Sequence, residues 1–429
     1  MSRWRRYPKY KPSGVEWLGE VPEGWNLQRA KFFFRKMNRP VRESDEIVTA
    51  FRDGEVTLRT KRRTEGFTNS LQEIGYQGIR KGDLVIHGMD GFAGAIGVSD
   101  SDGKSTPVYS VCVPLDPKKI DNYYYARLLR YAALSGYILS LAKGIRERST
   151  EFRFDVLEQL FLPEFSFAEQ ERITGFLNSE TAQIDTLIAK KERQVELLNE
   201  KRAAIISDAI IFGITSIEQL VNAKRIQPKC EFRKLSNLSK IIDCLHQTPE
   251  YLDDGYPMVR ITDVNGDYLD LSNTKKISEM HFREFTKKYS PKSGDIIISR
   301  VGSIGSISLV NDNQKFCLGQ NTAAIIPKSN SKYLFYSFQT NFVKDQFELS
   351  VVGSTLMTLS LDDIRRLKIP YWAPEKQQAI SHFLNIVTTR VDAISGKVRE
   401  SIDYLKEYRS TLISTAVTGK IDVREEVKA

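Results

Sequence analysis

Two long stretches of the chain place apolar residues at alternating steps of three and four. In the second stretch, these positions begin at Leu384 and end at Leu412, which is the heptad pattern of a coiled-coil seam. Pro163 and Pro370 precede the two stretches, and a glycine follows each of them, at 213 and 419. The pattern therefore predicts two long helices, each ending close to its glycine.

A single long amphipathic helix cannot bury its own apolar stripe, so the two helices are expected to pack on each other. The seam of the first helix is the more polar of the two, with Lys191, Gln194 and Lys201 among its positions. The residues predicted to pair the helices are Leu177, Ile184, Leu187, Leu198, Ile205, Leu384, Val391, Ile394, Val398, Leu405 and Leu412.

The two helical stretches are copies of one another. Residues 162–214 laid over residues 369–421, at a fixed offset of 207, give 16 identities in 53 positions without a gap. The likeness extends upstream, where "KGDLVIHGMDGFAGAIGV" (81–98) resembles "SGDIIISRVGSIGSISLV" (293–310). The chain is therefore a duplicated unit of block and helix.

Each block before a helix mixes short apolar strands with turn residues and helical stretches, which predicts mixed α/β blocks. A twofold relation between the copies would make the helices antiparallel. The predicted fold class is α+β: two duplicated recognition blocks at opposite ends of a long antiparallel two-helix coiled coil with pseudo-twofold symmetry. The predicted segments are an arm (1–24), block one (25–163), the central helix (164–214), block two (215–370) and the distal helix with its tail (371–429).

Charge points to a polyanionic partner. The net charge is +9, and the excess lies in the two blocks, with 22 basic against 17 acidic residues in 25–163 and 21 against 17 in 215–370. No apolar run is long enough for a membrane span, and no signal peptide is evident, so a cytoplasmic protein is expected. The four cysteines and four histidines show no zinc-binding spacing, and no metal site is predicted.

Catalytic motifs are not found. The stretch "GVSDSDGKST" (97–106) lacks the glycine spacing of a phosphate loop, and no glycine-rich fingerprint opens a βαβ unit. Asp83 and Asp295 follow turns and lack a partner cluster, so they are interpreted as turn residues. We predict no catalytic residue and no cofactor bound by this chain.

Basic residues in exposed loops are candidates for DNA contacts, because arginine can donate two hydrogen bonds to phosphate or guanine. Glutamine and asparagine are added because they can form hydrogen bonds with adenine. In block one, Phe152 and Phe154 are interleaved with them. The candidates are Arg59, Lys61, Arg62, Arg63, Lys143, Arg146, Arg148, Arg153, Arg260, Lys275, Lys276, Lys287, Lys288, Arg300, Gln320 and Asn321.

The chain resembles the specificity subunits of type I restriction-modification systems over nearly its whole length. The resemblance is carried by "YKPSGVEWLGEVPEGWNLQRAKFFF" (10–34), by "FLPEFSFAEQERITGFLNSETAQIDTLIAKKERQVELLNEKRAAIIS" (161–207) and by "IPYWAPEKQQAISHFLN" (369–385). It implies two target recognition domains that read a split DNA sequence, separated by helical spacers.

The resemblance also implies partners. Two modification subunits would methylate adenine with S-adenosylmethionine, and restriction subunits would use ATP and Mg²⁺, so these cofactors are expected on the partners. Two alternatives stay open: a stand-alone sequence-specific DNA-binding protein with duplicated recognition domains, and a coiled-coil scaffold protein whose basic blocks are incidental.

Overall fold

The computed structural model describes residues 4–62, 74–141, 151–222, 230–302, 304–351 and 358–425. The chain divides into two compact units: unit 1 comprises Met1–Lys190 and Ser401–Ala429, and unit 2 comprises Lys191–Glu400. No helix in the described part of the chain combines the length and apolar character that a membrane span needs.

Unit 1 is a mixed α+β unit built from short strands. Its strands are β1 (Tyr10–Pro12), β2 (Glu20–Pro22), β3 (Asn26–Arg29), β4 (Phe34–Met37), β5 (Val48–Ala50), β6 (Val56–Leu58), β7 (Gln77–Ile79), β8 (Leu84–His87), β9 (Ile96–Val98), β10 (Gly103–Ser105), β11 (Tyr109–Pro114) and β12 (Phe161–Glu164). Its helices are α1 (Asn122–Leu134), α2 (Tyr137–Ser140), α3 (Phe154–Leu157) and parts of the long helices α4 (Phe167–Phe212) and α11 (Pro374–Val417).

Unit 2 is likewise a mixed α+β unit. Its strands are β13 (Glu231–Lys234), β14 (Ser239–Asp243), β15 (Tyr256–Val259), β16 (Lys275–Ile277), β17 (Ile296–Ser299), β18 (Ile307–Leu309), β19 (Cys317–Leu318), β20 (Thr322–Pro327) and β21 (Lys368–Tyr371). Besides part of α4, its helices are α5 (Ile217–Val221), α6 (Leu235–Leu238), α7 (Glu279–Thr286), α8 (Ser331–Phe338), α9 (Asn341–Val351), α10 (Leu361–Arg366) and part of α11 (Pro374–Val417).

A four-stranded antiparallel sheet is repeated in the two units. Its order is β4-β11-β8-β9 in unit 1 and β14-β20-β17-β18 in unit 2. The predicted hairpins of the two glycine-rich stretches are confirmed, since Leu84 pairs with Val98 and Ile296 with Leu309. The duplication seen in the sequence is thus a duplication of topology.

The start of each long helix is tied to its block by repeated side chains. Gln170 is buried and donates to the Phe165 carbonyl at 3.0 Å, and Gln377 likewise donates to the Trp372 carbonyl at 2.7 Å. A neighbouring hydroxyl, Thr174 in α4, donates to Asp121, the N-cap residue of α1, at 2.5 Å. In unit 2, Ser381 takes the place of Thr174 and contacts Asn330, the N-cap residue of α8, at 3.1 Å. Identical or similar residues at the 207 offset therefore preserve a structural junction.

Both long helices end as the glycines predict. Gly213 and Gly419 have φ values of +69° and +70°, the left-handed conformation that closes a helix at little cost for glycine. Within unit 2, Arg202 of α4 pairs with Asp392 of α11 at 2.9 Å, and the Trp372 indole donates to the Ile210 carbonyl at 2.8 Å. From the first contact to the second, the residue number rises from 202 to 210 on one side and falls from 392 to 372 on the other. These two segments therefore run antiparallel.

Two of the residues predicted to pair the helices, Leu187 and Ile394, lie outside the buried stripe. Counted from Leu177 in α4 and from Leu384 in α11, the buried and half-buried positions are spaced four and then three residues apart. The sequence interpretation spaced them three and then four residues apart. Leu187 and Ile394 are consequently 47% and 48% exposed, and the stripe passes through Ile188 and Ser395 instead. The stripe in α4 is Leu177, Thr181, Ile184, Ile188, Lys191, Val195, Leu198, Arg202, Ile205 and Ala209. In α11 it is Leu384, Thr388, Val391, Ser395, Val398, Ile402, Leu405, Arg409, Leu412 and Ala416.

The amino-terminal arm and the carboxyl-terminal tail meet in unit 1. The Tyr10 hydroxyl donates to the Lys420 carbonyl at 3.2 Å, and the Asp422 amide donates to the Arg5 carbonyl at 2.8 Å. Trp25 anchors the arm: its ring is 1% exposed, stacks on Phe165 with centroids 4.0 Å apart, and donates through Nε1 to Glu169 at 3.0 Å. Unit 1 is therefore assembled from both ends of the sequence.

Candidate nucleic-acid interface

Arg62, in the first basic loop, is surrounded by acidic partners. Its guanidinium contacts Asp53 at 2.5 Å and Glu55 at 2.8 Å and lies over the Phe51 ring, 4.2 Å from the centroid. The hydrogen bonds from Arg62 hold the pKa of Asp53 below its ordinary value, while Asp53 raises the pKa of Arg62. Arg62 is thus held in one place by an aromatic face and two carboxylates.

The other described residues of this loop are also engaged. The ammonium group of Lys61 lies 3.1 Å from Asp100 and donates to Ser101 at 2.8 Å, and Nε of Arg59 donates to the Thr49 hydroxyl at 3.2 Å. The carboxylates partly neutralise the positive charge that the sequence shows here. Arg63 lies outside the described residues.

Arg153, in the second basic loop, is exposed and pairs with Glu151 at 2.5 Å. Phe152, which the sequence interpretation placed beside the basic residues, is 1% exposed and contributes to the core. Because Gly91 leaves room beneath it, the ring packs against that backbone. Lys143, Arg146 and Arg148 lie outside the described residues.

Unit 2 offers the most accessible cations among the candidates. Lys287 and Lys288 follow the carboxyl end of α7, and Lys275 begins β16; all three are exposed, and none has a partner within the described ranges. Lys276 contacts the fully exposed Asp254 at 3.4 Å. These lysines can approach a phosphate backbone without first breaking a buried contact.

The two arginines of unit 2 are fixed by local partners. Arg260 pairs with Asp263 at 3.1 Å across a short helical turn. Arg300 is 12% exposed at its side chain, and its guanidinium donates to Asp243 at 2.7 Å and to the Leu359 carbonyl at 3.0 Å. This arrangement disfavours a base contact by Arg300 and indicates that it stabilises the block.

Gln320 and Asn321 form the turn that enters β20. Asn321 has a φ of +60°, and its carbonyl accepts from the Arg300 amide at 2.9 Å. Asparagine is among the few non-glycine residues that tolerate this conformation. Gln320 is exposed, so its amide is the accessible polar group of the turn.

The two turn aspartates have the predicted structural role. Asp83 accepts from the Arg80 amide at 2.8 Å, and Asp295 accepts from the Lys292 amide at 2.8 Å. Both are buried, and each caps the tight turn before the central strand of its sheet. Arg39 also binds Asp83, and the Tyr289 hydroxyl donates to Asp295 at 2.6 Å.

Three potential metal ligands converge where the sequence showed no metal-binding spacing. Donor atoms of Asp243, Cys244 and His246 lie within 4.8 Å of one another. Burial raises the pKa of the Cys244 thiol, which disfavours the thiolate that metals bind. Asp243 is already paired with Arg300, whose fixed positive charge opposes a cation at this position.

The sequence interpretation also passed over two arginines of α1, Arg127 and Arg130. Both lie in an otherwise apolar stretch and are mostly buried along a cleft of unit 1. The sequence did offer one indication of this site: two arginines three residues apart in the otherwise apolar helix "NYYYARLLRYAAL". Charged residues are seldom buried without a partner.

Known proteins similar to this chain agree on one family. Residues 229–404 match a family model described as the type I restriction modification DNA specificity domain. The chain is 23% identical over 359 residues to the type I restriction enzyme EcoBI specificity subunit of Escherichia coli, covering 79% of this chain and 73% of the relative. It is 22% identical to the putative type I restriction enzyme MjaX specificity subunit of Methanocaldococcus jannaschii, covering 95% of this chain and 96% of the relative.

Solved structures share the fold. A chain from a study of complex assembly and conformational transition of the type I R-M system has a TM-score of 0.61 and 16% identity, covering 92% of this chain and 98% of that one. The HsdS subunit from Thermoanaerobacter tengcongensis has a TM-score of 0.51 and 17% identity, covering 94% of this chain and 98% of that one. Residues 229–404 thus match the DNA specificity domain of type I restriction-modification systems, and most of the chain is similar in sequence and in fold to specificity subunits of these systems.

Proposed function

We propose that this chain selects a split DNA target for a type I restriction-modification complex, with one half-site read by each block. The observation that carries the proposal is the repeated sheet, present once in each unit with the same strand order. Phosphate contacts position a protein on DNA, and side chains at base edges specify the sequence. Two blocks with the same fold and different surface side chains therefore suit two different half-sites.

The chain is non-catalytic in this proposal and acts through its partners. Two modification subunits supply adenine methylation with S-adenosylmethionine, and restriction subunits supply ATP- and Mg²⁺-dependent cleavage, in the cytoplasm. Apolar side chains left exposed on the long helices support a docking role, because they lie outside the pairing stripe. They include Leu187, Leu197, Ile386, Ile394 and Tyr404.

Methylation mapping tests the proposal directly. The full chain is expressed with a type I modification subunit in a host without other DNA methylation, and the genome is sequenced for methylated adenines. The expected result is one bipartite motif with a constant gap. Methylation without a shared motif, or a single continuous motif, would contradict the split-target proposal.

Lysine variants test the unit 2 surface in the same complex. Replacing Lys287 and Lys288 by alanine should weaken duplex binding and reduce the slope of log affinity against log salt by about one to two, as expected for one or two lost phosphate contacts. Lys118 and Lys119 form a matched exposed pair in unit 1 and are not among the candidate DNA contacts. Alanine at 118 and 119 should leave the slope unchanged; equal effects of both pairs would remove the assignment.

A further inference from the structure

A cleft of about 790 Å³ lies within unit 1. One wall is α1, another is the turn between β5 and β6, and a third is formed by the segments of α4 and α11 that belong to this unit. Tyr123 and Tyr131 contribute aromatic rings to the cleft, and Tyr123 is 47% exposed. The cleft is thus large enough for a small organic ligand and has an accessible aromatic face.

Two guanidinium groups reach the cleft with hydrogen-bond donors left over. Nη2 of Arg127 donates to the Asn178 side chain at 2.5 Å, but its buried Nη1 has no partner within the described ranges. Nη2 of Arg130 donates to the Arg52 carbonyl at 3.2 Å, and its buried Nε likewise has no partner there. A buried donor without an acceptor is destabilising, so an acceptor supplied by a ligand would be stabilising.

The charge around these donors is positive once the existing ion pairs are considered. Three carboxylates line the cleft, but Asp53 and Glu55 are bound to Arg62, and Asp100 is bound to Lys61. Arg409 and Lys406 also line the cleft, and Arg409 pairs with Asp185 at 2.8 Å. Burial lowers the pKa of both Arg127 and Arg130; Asp121 and Asp53 respectively oppose this shift, and the positive charge of Arg409 adds to it. A bound anion would offset both the burial of the two guanidinium groups and their repulsion by Arg409.

The same place in unit 2 is filled. Asn385, Thr388 and Asp392, the counterparts of Asn178, Thr181 and Asp185, line a pocket of only about 40 Å³. The Tyr336 hydroxyl lies 3.1 Å from the Thr388 hydroxyl, which closes the space. The duplicated scaffold therefore does not require an open cleft, and the opening in unit 1 results from its own side chains.

We propose that the unit 1 cleft binds a nucleotide phosphate, with Arg127 and Arg130 donating to its oxygens and Tyr123 facing the base. Phosphate suits the site because its oxygens can accept from both guanidinium groups at once. An aromatic ring beside arginines accommodates any base by stacking. The nucleotide comes from either of two sources, a free mononucleotide or a nucleotide of a bound DNA strand. Both carry the phosphate and the base that the cleft is proposed to contact.

The first experiment needs no variant. The full chain is titrated by calorimetry with adenosine monophosphate and, separately, with adenosine, both up to 10 mM. The free-nucleotide source predicts binding of the monophosphate at least tenfold tighter than that of adenosine, because adenosine lacks the phosphate. Measurable and equal binding of both compounds would overturn the proposal, because recognition would then not depend on the phosphate.

Variants then assign the binding to the cleft. Arg127→Gln and Arg130→Gln keep a polar side chain but remove the charge, and each should weaken monophosphate binding at least tenfold. Arg52→Gln is the matched control, because Arg52 is exposed, pairs with Asp90 at 2.7 Å and lies beside the cleft without lining it. Near-ultraviolet circular dichroism checks that each variant is folded.

A measurement of duplex DNA binding distinguishes the two sources. If monophosphate does not bind, the DNA source predicts that Arg127→Gln and Arg130→Gln weaken binding of a 30-base-pair duplex and reduce its salt slope, while Arg52→Gln does neither. If the two cleft variants change neither monophosphate nor duplex binding relative to Arg52→Gln, the proposal is overturned. A variant that fails to fold is replaced by Arg→Lys at the same position, which should weaken binding less.

Discussion

Unit 1 and unit 2 use the same arginine of the long-helix repeat in different ways. Arg409 in unit 1 pairs with Asp185 and otherwise faces an open cleft, whereas its counterpart Arg202 in unit 2 binds Asp392, Gln339 and Asp267. The helix-to-helix ion pair is conserved at the 207 offset, while the block beside it decides whether the arginine is enclosed. Duplication has thus preserved the helical frame and left the adjoining surface of each block free to differ.

The largest expected difference between the units concerns Trp25, the buried residue that anchors the arm. Trp25→Ala removes a fully buried ring and its bond to Glu169, which should lower the free energy of unfolding by about 3–5 kcal/mol. Hydrogen exchange should accelerate in the β4-β11-β8-β9 sheet of unit 1 and leave the β14-β20-β17-β18 sheet of unit 2 protected.

Trp372→Ala is the matched control, because Trp372 occupies in unit 2 the repeat position that Phe165 holds in unit 1. Trp372 is only half-buried, so the loss should be smaller and should appear in the unit 2 sheet. Accelerated exchange in both sheets for either variant would show that the units do not unfold separately.

The next largest effect should separate the two repeated arginines. Arg202→Ala removes the guanidinium bound to Asp267, Gln339 and Asp392 and should destabilise by about 2–3 kcal/mol. Arg409→Ala removes one exposed ion pair and should cost at most about 1 kcal/mol. Urea unfolding of both variants measures the difference, and equal losses would contradict the idea that the block of unit 2 encloses its arginine.

The smallest effect is in the acid pH range, where Asp53 of unit 1 and Asp267 of unit 2 should act in opposite directions. Arg62 lowers the pKa of Asp53, so its stabilisation is complete above the unfolded value of 3.8 and is lost as pH falls through the folded pKa. Burial raises the pKa of Asp267, so its contribution is most favourable below 3.8 and declines as pH rises through the folded pKa.

Urea unfolding between pH 3 and pH 6 measures these slopes. Asp53→Asn should remove a component of stability that rises with pH, and Asp267→Asn should remove one that falls with pH. The slopes are compared rather than the absolute stabilities, because each substitution also removes a hydrogen-bond acceptor. Slopes of the same sign for the two variants would contradict the opposite environments of the two carboxyl groups.

The sequence was most informative where local chemistry decides the structure. Helix ends at Gly213 and Gly419 were predictable because a left-handed residue closes a helix, and the two hairpins were predictable from apolar runs around glycine-rich turns. The pairing stripe was predicted only in part, since steps of three and four fit a helix in either order. The structure uses steps of four and then three, which leaves Leu187 exposed.

The candidate interface was less predictable because charge partners are distant in sequence. The basic loop looked unpaired until folding placed Asp53 and Asp100 beside Arg62 and Lys61. Arg300 is neutralised by Asp243, 57 positions earlier. Counting charges along a chain therefore overestimates what a loop can offer to DNA, and the exposed pair Lys287 and Lys288 became distinguishable only in the structure.

The meeting of the arm and the tail has a consequence for biosynthesis. Unit 2 is one continuous segment, whereas unit 1 requires Ser401–Ala429 to join residues that are synthesised before unit 2. During translation, the amino-terminal half must therefore wait on the ribosome with Trp25 and its neighbours incompletely covered, while the later-made unit can finish folding as soon as it emerges. The order of completion is the reverse of the order of synthesis, and the nascent first half is the stage at which a chaperone would be most useful.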